Sequence, residues 1–166
     1  MRAREGCATI SDSLGNLLFY TAGDTVYNRV HYKMNNGWVL QGHQSASQSS
    51  VIVQNPYSTN LYYLFTIDAL GGTNGVKYSV IGLGAINNMG SVLTKNIPLL
   101  TPVAEKITAV DHRYSRDAWV IVHGSSTQND KFYAYRITPS GVNLNPVISQ
   151  VPNAISHAGS FPNNKA

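Results

Sequence analysis

One four-part pattern recurs three times along this chain of 166 residues, and it restricts the fold more than any single motif does. Each occurrence has a short apolar run closed by a polar residue, a turn, two further apolar runs and a weaker fourth run. The fourth runs are expected to form strands at residues 38–40, 92–94 and 147–149. The opening runs span residues 7–11, 50–54 and 107–111. Their composition and alternation are typical of β-strands, and helical periodicity is sustained nowhere. The chain is therefore predicted to be all-β.

The spacing between the second and third occurrences is constant. The difference in residue number is 57 for three pairs, namely Val53 and Val110, Asn60 and Asp117, and Tyr78 and Tyr135. The first occurrence maps onto the second less regularly. The difference in residue number is 43 between Ile10 and Val53 and 44 between Asn16 and Asn60, which one extra turn residue explains. Repeats of this size, with four β-segments each, are typical of propeller blades.

We therefore predict a β-propeller of four-stranded antiparallel blades within residues 5–151. Three blades are expected, at roughly 7–48, 49–104 and 105–151, and residues 152–166 are interpreted as a tail or the start of a further blade. Known propellers have about four to eight blades, so three do not close a ring. Either the chain is a fragment of a larger ring, or copies associate to complete it. The remaining blades of a parent chain are the favoured partner.

Composition favours an extracellular β-protein. Hydrophobic residues make up 43% of the chain and charged residues only 12%, so neutral polar side chains provide the solubility. The net charge of +4 is dispersed along the chain, which argues against nucleic acid as a partner. The single cysteine, Cys7, excludes an intrachain disulfide. No apolar stretch is long enough to span a bilayer and no signal segment opens the chain, which predicts a mature or truncated soluble piece without membrane insertion.

Two sets of polar residues are candidate ligand contacts. The first closes the innermost strands, where the repeat aligns Ser11 with Gln54 and Asp111, and Asp12 with Asn55 and His112. Such a ring suits a water network, a cation or a sugar, and the alternative is ordinary polarity at strand ends.

The second set follows the second strands, at Asp68 and His123, on the opposite side from the first turns. These residues are interpreted either as ligand contacts or as caps for loop N–H groups. Trp38, in a loop rich in Gly and Asn, is a candidate for stacking on a sugar, with a place in the core as the alternative.

Motifs for catalysis or for a cofactor are absent from the sequence. The histidines lack metal-ligand spacing, no Gly-x-Ser-x-Gly elbow occurs, and no cofactor is predicted. A pair of aspartates for glycoside hydrolysis stays open, because the separation of Asp12, Asp68 and Asp111 in space does not follow from their spacing in sequence.

The amino-acid sequence resembles a propeller-like region near the N-terminus of Bacteroidetes PKD-domain or gliding-motility-associated surface proteins. The resemblance runs from Glu5 to about Val151, and its segments are residues 5–12, 15–21, 62–68, 95–99, 105–110 and 132–135. It departs from the family pattern at Ala22, Tyr27 and Gly124. The resemblance implies export by the type IX secretion system and a place at the cell surface, with a signal peptide that this chain does not contain.

These observations lead to two functional expectations. The first is a secreted or cell-surface, non-catalytic binding or scaffold module for a glycan or a protein, within a large type IX cargo protein. The second is a propeller-type polysaccharide hydrolase or lyase whose active site is shared with missing blades. The sequence leans towards the first, because no catalytic residues can be named.

Overall fold

The structure is a computed structural model and describes residues 1–84, 89–125 and 130–151. Within these ranges the chain is all-β, as predicted, apart from a short 3-10 turn at Ala69–Gly71. The strands are β1 (Ala8–Ser11), β2 (Leu17–Thr21), β3 (Thr25–Asn28), β4 (Lys33–Trp38), β5 (Ser50–Gln54), β6 (Leu61–Ile67), β7 (Val76–Gly82), β8 (Ser91–Leu100), β9 (Val103–Asp111), β10 (Ala118–Gly124), β11 (Lys131–Thr138), β12 (Gly141–Val142) and β13 (Val147–Gln150). The segment 152–166, predicted to be a tail or the start of a further blade, lies outside the described residues.

Eight strands form one strongly curved sheet in the order β1-β2-β3-β4-β8-β7-β6-β5. Its halves are antiparallel meanders, and a parallel bridge between Asn35 in β4 and Ser91 in β8 joins them. The edge strands β1 and β5 lie in contact, so the sheet curls into a nearly closed, barrel-like shape. Asn36 strengthens the joint, since its Nδ2 donates to the carbonyl of Val92 over 2.9 Å.

The remaining strands form a second sheet in the order β9-β10-β11-β12, with β13 also paired to β11. Its first strand, β9, lies against β5 of the first sheet. In chain order the molecule thus has three groups of strands, β1–β4, β5–β8 and β9–β13, whose first strands are neighbours. We call these groups the first, second and third groups.

Two hydrophobic clusters join the three groups, one at each place where consecutive groups pack together. One lies inside the barrel-like sheet, between the first and second groups, and includes Phe19, Met34 and Leu64. The other lies between the second and third groups and includes Phe65 and Tyr135. Because Leu64 and Phe65 are neighbours in β6 and point to opposite faces, the second group is buried on both sides.

The structure corrects one part of the predicted repeat. Tyr78 and Tyr135 were aligned as equivalents, but both lie in the cluster between the second and third groups, so they point towards each other. The hydroxyl of Tyr135 also donates to the carbonyl of Leu99 in the second group over 3.1 Å. Equivalent side chains would instead point in the same direction along the stack.

A one-residue difference in hairpin register explains the correction. Ile52 and Ala109, which are 57 residues apart, both face the preceding group. Ile52 pairs with Leu64, whereas Ala109 pairs with Val120. The difference in residue number between equivalent positions is therefore 57 in the first strands but 56 in the second strands. A shift of one residue moves a side chain to the opposite face of a strand. The structural equivalent of Tyr78 is therefore Ala134.

The fourth strand of the first group also differs from the prediction, which placed it at residues 38–40. The observed strand β4 ends at Trp38, and Val39 has a φ of 59°, outside the extended region. Asn96 of β8 holds this segment, since its Nδ2 donates to the carbonyl of Val39 and its Oδ1 accepts from the N–H of Gln41, both over 3.0 Å. A contact between distant segments thus overrides the β-propensity of Val39.

Two buried threonines provide a matched test of packing. Among the described residues, the hydroxyl of Thr66 is a buried oxygen without a hydrogen-bond partner. Thr66→Val is therefore expected to raise the free energy of unfolding by about 1 kcal/mol, because the valine removes an uncompensated polar group and keeps the shape. Urea denaturation measures the change.

Thr21 is the control for this substitution. It is equally buried, but its hydroxyl donates to the carbonyl of Thr25 over 2.8 Å and accepts from the N–H of Gly23 over 3.0 Å. Thr21→Val is expected to lower the free energy of unfolding by about 1–2 kcal/mol, because the N–H of Gly23 loses its acceptor. Equal losses for the two variants would contradict this account of Thr66.

Candidate functional site

The three groups have two ends with different connections. At one end, which we call the turn end, the short turns 12–16, 55–60 and 112–117 follow the first strands. At the other end, which we call the loop end, lie the connections that follow β2, β6 and β10. The candidate ligand contacts named from the sequence are divided between these ends, so they do not form one site.

A cleft of about 600 Å³ opens at the turn end between β5 and β9. It combines the end of β5 and the turn that follows it with the end of β9 and the start of β10. Its walls are formed by Ile52, Val53, Gln54, Asn55, Pro56, Tyr57, Ser58, Thr59, Ala109, Val110, Asp111, Arg116 and Ala118. The cleft therefore lies between the first strands of two consecutive groups, at the place where the repeat predicted a polar ring.

Two charged side chains of this cleft have capacity for a ligand. Asp111 is exposed and makes no side-chain hydrogen bond or ion pair with another described residue. The guanidinium of Arg116 lies 5.6 Å from the centre of the Tyr57 ring and likewise makes no hydrogen bond within the described part of the chain. A free carboxylate and a free guanidinium in one cleft offer both acceptors and donors to a polar ligand.

The wall behind these charges is held by a hydrogen-bond network. Asn55 is 7% exposed, and it accepts from the N–H of Tyr57 over 2.8 Å and donates to the hydroxyl of Tyr63 over 3.3 Å. The hydroxyl of Tyr57 donates to Asp117 over 2.6 Å, and Nε of Arg136 donates to the other oxygen of Asp117 over 2.5 Å. Tyr57 is thus fixed in position through contacts 60 residues apart in sequence.

The same network sets the charge of its members. The hydrogen bond from Tyr57, followed by the bond and charge of Arg136, outweighs burial and holds the pKa of Asp117 below its usual range. The hydrogen bond to Asp117 in turn raises the pKa of Tyr57. Asp117 is therefore ionised and Tyr57 neutral at pH 7. The positive charge of Arg136 is balanced by its ion pair with Asp117. Arg116 is then the cation among the residues that line the cleft.

The predicted polar ring is assembled only in part. Gln54, Asn55 and Asp111 line the cleft, whereas Asp12 lies in its own turn. The carboxylate of Asp12 accepts from the N–H groups of Leu14 and Asn16 and from the side chain of Asn16, over 2.8–2.9 Å. The side-chain bond from Asn16 comes first among the causes that lower the pKa of Asp12. Asp12 thus stabilises a turn.

His112 and Ser11 also do not line the cleft. The ring of His112 stacks on Trp119, with 5.9 Å between ring centres, and its Nδ1 accepts from the N–H of Tyr114 over 3.2 Å. Ser11 is exposed at the end of β1, next to a register shift in its pairing with β2. Of the predicted ring, the second and third groups alone contribute to this cleft.

At the loop end, Asp68 has the capping geometry that was one of its two interpretations. It is the N-cap of the turn Ala69–Gly71, with Oδ1 accepting from the N–H of Ala69 over 2.9 Å. Oδ2 accepts from the N–H of Asn74 over 3.1 Å. Both oxygens are occupied by the loop backbone.

His123 is near the same end but is 4% exposed, with its ring centre 4.7 Å from that of Phe132. Its side chain also borders a small hollow of about 130 Å³ together with Gln48 and Lys106. The loop beyond Asp68 approaches the chain just after His123, because a Cβ at Gly71 would lie 3.5 Å from Oγ of Ser125.

Sequence reasoning missed Glu105, which joins the three segments at the loop end. Its Oε1 accepts from the N–H of Leu70 over 2.6 Å, and its Oε2 accepts from the N–H and hydroxyl of Ser47 over 2.6 and 3.0 Å. Burial raises the pKa of Glu105, but these bonds outweigh it, so the pKa is lowered overall. No local pattern marks this residue, since its partners are 35 and 58 residues away.

Trp38 is far from the cleft, at the end of β4. It is 45% exposed, and Nζ of Lys95 lies 5.8 Å from its ring centre while donating to its carbonyl over 3.0 Å. Lys95 is the charged side chain beside this exposed ring among the described contacts.

Metal ligands do not converge in the described residues, where no group of three His, Cys, Asp or Glu side chains is placed to hold an ion. Within the same ranges, no helix has the length and apolar character to cross a membrane. The polar side chains that the cleft offers to a ligand are those of Asp111, Arg116, Gln54 and Tyr57.

No protein-family model, curated protein or solved structure matches this chain.

Proposed function

We propose that this chain is a non-catalytic binding module, part of a β-propeller, that holds a glycan in the cleft between β5 and β9. The proposal rests on two charged residues of one cleft. The carboxylate of Asp111 makes no hydrogen bond with another described residue, and the guanidinium of Arg116 lies over the Tyr57 ring and makes no hydrogen bond within the same part of the chain. Sugar hydroxyls act as donors and acceptors together, and sugar C–H faces pack on aromatic rings. A polar segment of a neighbouring protein is the other ligand that such a cleft suits.

The propeller interpretation is supported by the order of the strands. The first strands of consecutive groups are in contact, since β1 contacts β5 and β5 contacts β9. Each group also packs face to face on the next through one hydrophobic cluster. Blades radiating from a common axis have this arrangement, with their first strands innermost.

The resemblance of the sequence to gliding-motility-associated surface proteins supports a location outside the cell. We accordingly propose that the module belongs to a large type IX cargo protein and acts at the cell surface. A low content of charged residues and abundant neutral polar side chains agree with this environment.

A glycan array followed by calorimetry of the bound sugars tests the proposal. Asp111→Ala and Arg116→Ala are each expected to weaken binding by about 10–100-fold, which corresponds to the loss of a hydrogen bond to a charged group. Glu5→Ala and Arg29→Ala are the matched controls, because both residues are exposed and lie outside the cleft. The proposal fails if no glycan binds, or if the cleft variants bind as well as the controls.

The same sugars distinguish the hydrolase or lyase alternative. A binding module retains its bound glycan intact, whereas an enzyme releases shorter products during prolonged incubation. Product release that Asp111→Asn abolishes, measured by chromatography of the glycan, would replace the binding module with an enzyme that uses Asp111 in acid–base chemistry.

A further inference from the structure

The turn that follows β9, at residues 112–117, presents two arginines with unused hydrogen-bond donors. Cζ of Arg116 lies 5.6 Å from the centre of the Tyr57 ring, and Cζ of Arg113 lies 5.0 Å from the centre of the Tyr114 ring. Both arginines are exposed, and neither donates a hydrogen bond to another described residue. A contact with an aromatic face leaves the N–H groups of a guanidinium available to a ligand.

The two arginines differ in their position relative to the cleft. Arg116 lines the cleft of about 600 Å³ between β5 and β9, whereas Arg113 lies outside that lining. The volume is within the range of about 300–1,000 Å³ that is usual for small-molecule sites. The Tyr57 ring that carries Arg116 is held by the hydrogen bond from its hydroxyl to Asp117 over 2.6 Å. The guanidinium of Arg116 therefore rests on a fixed ring at the wall of a cavity of suitable size.

The charges at this wall favour an anionic group on the ligand. The ion pair with Asp117 balances the charge of Arg136. The end of β9 and the turn after it then retain two positive charges, on Arg113 and Arg116, and one negative charge, on Asp111. The opposing turn after β5 contains no charged residue. An excess of positive charge at the rim of a cleft attracts negatively charged ligands.

The other polar side chains of the cleft require hydroxyl groups on the same ligand. Asp111 forms no ion pair with Arg116, so the two charged ends are separate and are free to meet different groups of one ligand. A carboxylate only accepts hydrogen bonds, so Asp111 selects donors. Nε2 of Gln54 donates to the carbonyl of Thr59 over 3.2 Å, which leaves its Oε1 as a second acceptor in the cleft. A ligand that satisfies this wall has an anionic group and hydroxyls close together.

Three kinds of anionic ligand can be compared with these requirements. A phosphate monoester carries about two negative charges at pH 7, and it would meet Asp111 in the same cleft as Arg116. An acidic peptide supplies carboxylates but few hydroxyls for Asp111 and Gln54. A uronic acid has one carboxylate and several hydroxyls on each sugar ring, and the planar guanidinium fork matches both oxygens of a carboxylate. The uronic acid therefore fits the donors and acceptors of the cleft best.

We propose that the ligand of this cleft is an acidic glycan. The carboxylate of a uronic acid residue accepts from the guanidinium of Arg116, and hydroxyls of the same ring or the next one donate to Asp111 and Gln54. This inference rests on the proposed function, since it names the class of glycan that the cleft holds. It assigns the selectivity for acidic sugars to Arg116 rather than to the net charge of the chain.

Calorimetry with matched pairs of oligosaccharides tests the inference. The acidic probes are oligomers of galacturonic, mannuronic and glucuronic acid, and each is paired with the same oligomer after reduction of its carboxyl groups to hydroxymethyl groups. At least one acidic oligomer is expected to bind about 10–100-fold more tightly than its reduced partner. Arg116→Gln is expected to remove this preference. Arg113→Gln is the control and is expected to keep it, because Arg113 has the same charge and a similar ring contact outside the cleft lining.

The results that would overturn the inference are distinct from those that would overturn glycan binding. Array sugars or reduced oligomers that bind at least as tightly as every acidic oligomer would overturn the inference and leave the binding module in place. If no oligomer and no array sugar binds, both fail. A preference that Arg113→Gln removes as fully as Arg116→Gln would reduce the effect to net charge. Tighter binding of a sulfated oligosaccharide, or of a glutamate-rich peptide of equal charge, would also overturn the choice of a uronic acid.

Discussion

Phe65→Ala is expected to lower the free energy of unfolding by about 3–5 kcal/mol. The Phe65 side chain is fully buried in the cluster between the second and third groups, in contact range of Tyr78 with 5.8 Å between ring centres. Removing the ring leaves a cavity that strands paired on both sides are poorly able to close. Urea denaturation, with an unchanged slope against urea concentration, measures the loss.

Phe132→Ala makes the same chemical change on the open side of the third group. Phe132 is half-buried, and its described ring contact is with His123. The expected loss is about 1–2 kcal/mol, because less apolar area returns to water and no closed cavity forms. Equal losses for Phe65→Ala and Phe132→Ala would show that the side of the third group on which Phe132 lies is packed as tightly as the cluster between the second and third groups.

Gly75→Ala is the second substitution with a large expected effect. Gly75 has a φ of +60°, and a Cβ there would collide with the carbonyl of Leu100 and the hydroxyl of Thr101. The residue also closes the loop that Asp68 caps, since the N–H of Asp68 donates to its carbonyl over 2.9 Å. A left-handed backbone costs an alanine about 1–2 kcal/mol, and the collision with backbone adds about 1–3 kcal/mol.

Gly15→Ala separates these two contributions. Gly15 has a φ of +84°, but a Cβ there would meet open space. The expected loss is about 1–2 kcal/mol, from the backbone conformation alone. Thermal and urea denaturation of both variants compare them directly, and a loss at Gly75 no larger than that at Gly15 would contradict the close approach of β8 to this loop.

Most strands were predictable because their signals are local. The runs at Leu17–Thr21, Leu61–Ile67 and Lys131–Thr138 alternate or concentrate β-branched and aromatic residues between turn residues, which is the pattern of a buried or half-buried strand. The fourth strand of the first group was misplaced because its position depends on Asn96, a residue 57 positions beyond Val39.

The candidate site was predictable to a smaller extent. Alignment of the repeat brought Gln54 and Asp111 to neighbouring strand ends, and both line the cleft. Arg116 and Tyr57 were missed, since each occupies a turn and gains its role only when two turns approach each other. Glu105 was missed for the same reason, because the N–H groups that it accepts from belong to distant loops.

The amino-acid sequence determined most of the strands and the threefold recurrence, because these follow from side chains close to one another along the chain. The tertiary structure decided the register of the third group, the curling of the first sheet and the composition of the cleft. The reason is physical: a one-residue change in hairpin register reverses every face of the strands that follow, and its energy comes from packing between sheets that no local segment contains.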